Sequence, residues 1–353
     1  MARLRSSARG WVISLGLLLA WLGPGCVHHP HRTTVDTTPP QPYLRASHGP
    51  DGAHNLEIAA RALRPVRGRG PTLWLVGVSH LGTTEYYTEL QRFLDAQPLV
   101  LFEGVGATNK TFQLQHEGGF SLQSALARAL KLRFQLETID YQRPNFRNSD
   151  LSLEELDRIL SGPAKTSNTA AAPAPGTAPA GRTEPAPAAG GAAFDQLLDA
   201  MRGTGLLGGL ARFGVALIEA SPRLQAATLV TLVEVLAQLP GDLPNLPGMP
   251  AGFQQLFRVL IEERDRKVLD DVKRELHARP APASIAIFYG AGHMPDLERR
   301  LRNELAYRPA DERWWTAFGV NARQAGVSEW EINLMRSWAR AQMNGLKPEG
   351  TKP

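Results

Sequence analysis

A single cysteine, Cys26, in 353 residues excludes any disulfide within the chain, and with it a metal centre built from paired cysteines. Other signatures are missing as well. There is no P-loop and no His-Glu-x-x-His pair, because His116-Glu117 is followed by two glycines that would not hold a helix. Gly77-Val78-Ser79-His80-Leu81 fails as a nucleophile elbow, since its closing glycine comes one residue late, at Gly82. Gly290-Ala291-Gly292 lacks the third glycine of a dinucleotide loop, whose place Pro295 takes. The formal charge of +5 falls to +2 without Arg3, Arg5 and Arg9, so nothing calls for a nucleic-acid partner.

Those three arginines head a targeting segment. The apolar stretch Trp11–Leu22 follows them, and it is shorter than the ~20 residues that span a bilayer. Residues 1–25 therefore read as a signal peptide. The stretch ends in Leu22-Gly23-Pro24-Gly25-Cys26, which resembles a bacterial lipobox, although Gly23 stands where leucine is usual. Cys26 is the expected lipidation site, with an uncleaved anchor as the alternative. The chain is thus expected to be exported to the bacterial envelope and held to a membrane by its N-terminus. Residues 26–54 are rich in Pro, Thr and His and read as a flexible tether, with His28, His29 and His31 as solvated linker residues.

From residue 55 to about 320 the pattern is that of one α/β (α+β) domain: a central, mostly parallel or mixed sheet flanked by helices. Thr72–Val76 reads as a buried strand and Thr83–Ala96 as a helix with Tyr86, Leu90, Phe93 and Leu94 on one face. A second strand over 98–104 stops at Glu103, and a helix over roughly 121–132 leads to a third strand, Phe134–Ile139, ending in Asp140. The Ala/Pro/Gly/Thr-rich stretch 161–193 reads as a disordered insert that interrupts the domain. Apolar helices over 194–201, 206–220 and 224–239 follow and read as a helical cap (194–250) or a membrane-associated hairpin; the third carries Glu234. A long amphipathic helix, 252–278, precedes the last strand, Ser284–Tyr289. Residues 321–353 read as a C-terminal helix and tail.

The chemistry gathers at strand ends. Two of the runs close on Gly-x-x-His, as Gly77–His80 and Gly290–His293, and a third on Glu103. Ligands in open α/β sheets collect beyond the carboxyl ends of parallel strands, so parallel pairing would bring His80, Glu103 and His293 to one rim. Two imidazoles and a carboxylate suit a divalent metal with positions left open, or acid/base work without one.

Together with Glu263-Arg264-Asp265 on the preceding helix, these motifs resemble the TraB/PrgY–Tiki (GumN-related) family, of the superfamily that includes erythromycin-esterase-like and ChaN-like proteins. The resemblance covers roughly 55–320. It implies a metal-dependent hydrolase, a peptidase in the Tiki members, with Mn, Co or Zn held by His80, Glu103 and His293. Arg264 would then bind a substrate carboxylate or stabilise developing negative charge, or serve only as a helix–sheet ion pair. Asp265 stands where the family commonly has Asn, and would pair with Arg264 or add a ligand. The substrate would be a peptide or small molecule. The alternative is an envelope lipoprotein that binds a peptide, haem or metal without turnover; oligomeric state is not legible.

Overall fold

The computed structural model describes residues 36–104, 122–161, 205–239 and 251–345. The signal segment, Cys26, the 162–193 part of the insert and the 194–201 helix lie outside the described residues.

The protein is a mixed α/β fold with helices on both faces of a seven-stranded sheet. Strand β3 (Thr72–Val78) pairs in parallel with β8 (Ser284–Gly290), β8 with β5 (Leu99–Phe102), and β5 with β7 (Phe146–Asn148). On its other edge β3 pairs antiparallel with β2 (Ala53–Pro65), which also pairs antiparallel with β1 (Leu44–His48) and with β9 (Tyr307–Asn321). A two-stranded ribbon, β4 (Leu81–Gly82) with β6 (Arg133–Phe134), stands apart.

Side chains of β8 alternate between the two faces. Ala286 and Phe288 join one core, while Ile285, Ile287 and Tyr289 join the other. Both faces are buried, which is why the strand reads as a continuous apolar run. On the first face lie α1 (Thr84–Asp95), with Tyr86, Leu90 and Leu94 inward, and α6 (Pro222–Leu236), with Leu229 and Val233 inward. On the second lie α8 (Arg264–His277) and α9 (Met294–Glu304), contributing Val268, Leu269, Val272, Leu297 and Leu301. Each such buried aliphatic side chain contributes about 1.5–3 kcal/mol, so two filled layers anchor the parallel strands from both sides.

Local signals set the helix starts. Thr83 caps α1 by accepting the Tyr86 N–H at 3.1 Å. Ser221 caps α6 in the same way, and Pro222 occupies its first turn, where its missing N–H costs nothing. Helix α5 (Gly205–Glu219) packs beside α6 and forms the rest of the described cap.

Three expectations need correction. Chain ordering begins before residue 55: β1 and the start of β2 fall in the span read as tether, with Leu44 and Ala46 packed on the core. The strand expected over 134–139 is two residues of β6 followed by a helical turn, α3 (Gln135–Thr138), which buries Gln135 for a reason given below. The parallel strand beside β5 is β7 instead. Lastly, Ser284–Tyr289 is not the final strand, because β9 follows. Its Pro309 and the charges Asp311–Arg313 argue against a central strand, but they are tolerated on the sheet edge that β9 forms. Among the described residues no helix is long and apolar enough to cross a membrane. Helix α10 (Glu329–Gly345) closes the described chain against α6.

Candidate functional site

The parallel order β3-β8-β5 places the ends of three neighbouring strands side by side. Val78 lies opposite Gly290 and Phe102 opposite Phe288, so His80, His293 and Glu103 follow three adjacent strand ends. All three, with Arg264, line one cavity of about 450 Å³. Its walls are apolar: Leu44, Leu56 and Ile58 from β1 and β2, Leu232 and Leu236 from α6, and Leu260 and Ile261 from the helix before Arg264.

His80 sits in the short link between β3 and β4, at the exposed mouth. Two tyrosines fix that link from below. The Ser79 N–H donates to Tyr86 Oη at 3.4 Å, and Tyr87 Oη donates to the Ser79 carbonyl at 2.8 Å. Gly82 must be glycine for this packing, since a Cβ there would lie 2.6 Å from the Tyr86 ring. Gln135 clamps His80 twice. Its N–H donates to the His80 carbonyl at 2.9 Å, and its Oε1 accepts from His80 Nδ1 at 2.9 Å. The Gln135 amide in turn donates to Tyr141 Oη at 2.7 Å. With Nδ1 carrying the proton, Nε2 of His80 is left as the nitrogen that can take a ligand.

Glu103 is tied on both oxygens. Oε1 accepts from Arg264 Nη2 at 2.7 Å, and Oε2 accepts the Gly290 N–H at 2.7 Å. Burial pushes this carboxyl up, but Arg264, then His293 and His80, outweigh it and hold Glu103 well below the usual carboxylate range. Arg264 begins α8 directly after a π-helical turn, Val259–Glu263, of the kind that recurs at functional sites. It also grips the buried Asp150, through Nε at 2.9 Å and Nη2 at 2.6 Å. The ion-pair reading of Arg264 is thus what the structure displays, and the same arginine faces the cavity.

His293 precedes α9, and its Nδ1 meets Asp265 Oδ1 at 2.7 Å while its Nε2 lies 3.7 Å from Glu103 Oε1. Asp265 therefore pairs with His293 and not with Arg264. A carboxylate on the far nitrogen of an imidazole is the support that orients a ligating or proton-transferring histidine. Burial drives the Asp265 carboxyl up to about 7 against the pull of His293, and the neighbouring Asp296 pushes it the same way. Its Oδ2 is buried and lacks a hydrogen-bond partner, and a proton there would let it donate to Asp296. Burial lowers the His293 pKa, but Asp265 and Glu103 outweigh it and the net shift is upward.

Gln135 and Asp150 were missed by sequence reasoning, whereas the segment 140–146 reads from the sequence either as a further lining of the rim or as a surface turn, and its Tyr141 supports Gln135. Asp140 points elsewhere: its backbone N–H is held by Gln91 and its carboxylate lies near Arg143. Among the described residues, the His/acid set whose donor atoms all lie within 4.8 Å of one another is His48, His54 and Glu234, a potential metal-binding triad. His80, Glu103 and His293 share a cavity but are spaced more widely.

The fold and site define an α/β protein with a polar, partly neutralised cluster on the carboxyl rim of its sheet. The chain matches no family model, no curated protein and no solved structure.

Proposed function

We propose that this chain is an exported, lipid-anchored hydrolase of the TraB/Tiki type that cleaves peptide substrates with a divalent metal ion. The observation that carries the reading is the meeting of His80, Glu103 and His293 at three adjacent parallel strand ends around one apolar-walled cavity. The donor chemistry suits a metal, with each imidazole engaged through Nδ1 and Nε2 left for a ligand beside the ionised Glu103, although the three groups stand wider apart than the donors of one preformed ion site. His80, Glu103 and His293 would hold Mn, Co or Zn, which would supply a water of pKa ~7 and polarise a carbonyl.

The chain's own residues supply the rest. Asp265 fixes the ring of His293. Arg264 offers a guanidinium to an anionic oxygen, buried where such a contact is strong. Leu44, Ile58, Leu232 and Leu236 bind apolar side chains of the substrate and keep water from the cluster. Glu103, kept ionised by Arg264, is a poor proton acceptor at neutral pH and acts as charge or ligand.

One observation favours capture without turnover. Glu103 is already held on both oxygens by Arg264 and Gly290, as a rigid binding site requires. The two readings separate on incubation of chelator-stripped protein with Mn²⁺, Co²⁺ or Zn²⁺ and a mixed peptide library. Metal-stimulated cleavage, lost in folded His80→Ala and His293→Ala, is expected. Unchanged turnover in either variant would refute the assignment, and stoichiometric retention without product would establish the binding reading.

A further inference from the structure

The polar residue that stands out on the apolar cap helix, Glu234 of α6, is buried to 5 % exposure. Such a carboxylate needs partners. It finds His48 Nε2 of β1 at 2.9 Å, His54 Nδ1 of β2 at 3.8 Å, and Arg336 of α10 at 3.1 Å, all on Oε1. His54 is itself 5 % exposed, and its Nδ1 is a buried nitrogen without a hydrogen-bond partner.

We propose that His48, His54 and Glu234 form a second divalent-cation site, of zinc type, that pins the cap helix to the β1–β2 hairpin. The donors lie within 4.8 Å of one another. A tetrahedral ion with bonds of about 2.0–2.1 Å needs donors about 3.3 Å apart, and the two spacings to Glu234 bracket that value. An ion there gives His54 Nδ1 the partner it lacks. The half-exposed His48 ring provides the way in and leaves room for a water as fourth ligand. Arg336 is the competing cation, and its partly exposed side chain can withdraw to solvent.

The position carries a consequence. β1, β2 and α6 also supply Leu44, Leu56, Ile58, Leu232 and Leu236 to the wall of the rim cavity. An ion joining these three elements fixes the width of that cavity without touching the His80–His293 cluster.

The test uses the full chain carrying His80→Ala and His293→Ala, stripped with chelator and titrated calorimetrically with ZnCl₂. One equivalent of Zn²⁺ is expected, with the absorption of a four-coordinate ion when Co²⁺ replaces it. His48→Ala and Glu234→Gln, each added to that background and checked for folding by circular dichroism, should weaken Zn²⁺ binding at least tenfold. Arg336→Gln should tighten it severalfold. No Zn²⁺ uptake in the background protein, or uptake untouched by His48→Ala and Glu234→Gln, would overturn the proposal. Failure of the rim site to bind metal leaves this equivalent in place, so the two readings fail separately.

Discussion

Arg264→Met isolates the electrostatics of the rim. The wild-type guanidinium joins Glu103 and Asp150, with the Asp150 side chain fully buried and that of Glu103 17 % exposed. Removing one partner from a buried ion cluster leaves the others uncompensated, which costs about 3–5 kcal/mol. Three backbone donors stay behind to limit the loss: Gly290 N–H on Glu103 at 2.7 Å, and Gly104 and Leu151 N–H on Asp150 at 2.9 and 2.8 Å. The expected destabilisation at pH 7 is therefore near the lower end, about 3 kcal/mol. The sign of its pH dependence follows from Glu103, whose folded-state pKa is depressed, with Arg264 the largest lowering influence. Such a group stabilises the protein above its unfolded value of 4.5 and loses that contribution as pH falls below it. The variant lacks most of this contribution at every pH, so the gap between the two proteins should narrow by up to about 0.8 kcal/mol between pH 7 and pH 4. Urea unfolding followed by tryptophan fluorescence, analysed at fixed slope, measures both gaps. A loss below about 1 kcal/mol at pH 7, or an equal loss at both pH values, would refute the reasoning. The variant also leaves the rim one charge more negative, so Mn²⁺ should stabilise it more than it stabilises the wild type.

Three further outcomes follow from the same contacts. Asp265 has a raised folded-state pKa of about 7, so the stability it confers is full below about pH 4 and lost as pH climbs through 7. In the metal-free protein Asp265→Asn should flatten that decline in pH-dependent urea melts, while turnover falls roughly 10- to 100-fold as His293 loses its support. Gln135→Leu should cost about 1–3 kcal/mol, because it removes the hydrogen bonds that Gln135 makes to the His80 ring and to Tyr141 Oη, and should lower kcat more than it raises KM. Ile287→Ala, far from the rim in the second core layer, should cost about 2–5 kcal/mol in thermal or urea unfolding while metal stoichiometry stays unchanged.

What was legible in the chain divides along physical lines. Thr72–Val78, Leu99–Phe102 and Ser284–Gly290 are buried on both faces, so continuous apolar runs ending in Gly or Glu announce them and the residues beyond their ends. The cap helix start is equally local, because Ser221-Pro222 is both break and cap. Edge strands are another matter: β1 is short and half-exposed, and β9 carries Pro309 and charges that only its edge position tolerates. Supporting residues are hidden for a third reason. The glutamine at 135 sits in a stretch whose apolar residues alternate like a strand. Only the tertiary need to hold His80 by its carbonyl and its ring selects a helical turn there. Asp265 is adjacent to Arg264 in sequence, which invites pairing the two. On a helix, however, consecutive side chains diverge by about 100°, so Arg264 reaches Glu103 while Asp265 reaches His293.

That divergence also settles how labour is shared on the rim. A general base at neutral pH needs a pKa near 7. Glu103 is far below that range, and His80 is held through Nδ1 with Nε2 at the exposed mouth. In the His293–Asp265 pair, burial raises the Asp265 carboxyl to about 7, and the carboxylates of Asp265 and Glu103 raise His293. One nitrogen cannot hold a proton and a metal ion at once. Binding of a cation to His293 Nε2 must then displace any proton there and leave Asp265 as the remaining titrating partner. In this reading the acid limb of the pH–rate profile moves to lower pH as Mn²⁺ is raised towards saturation, and an acid limb that ignores Mn²⁺ would mean that His293 works as a base with no ion on it.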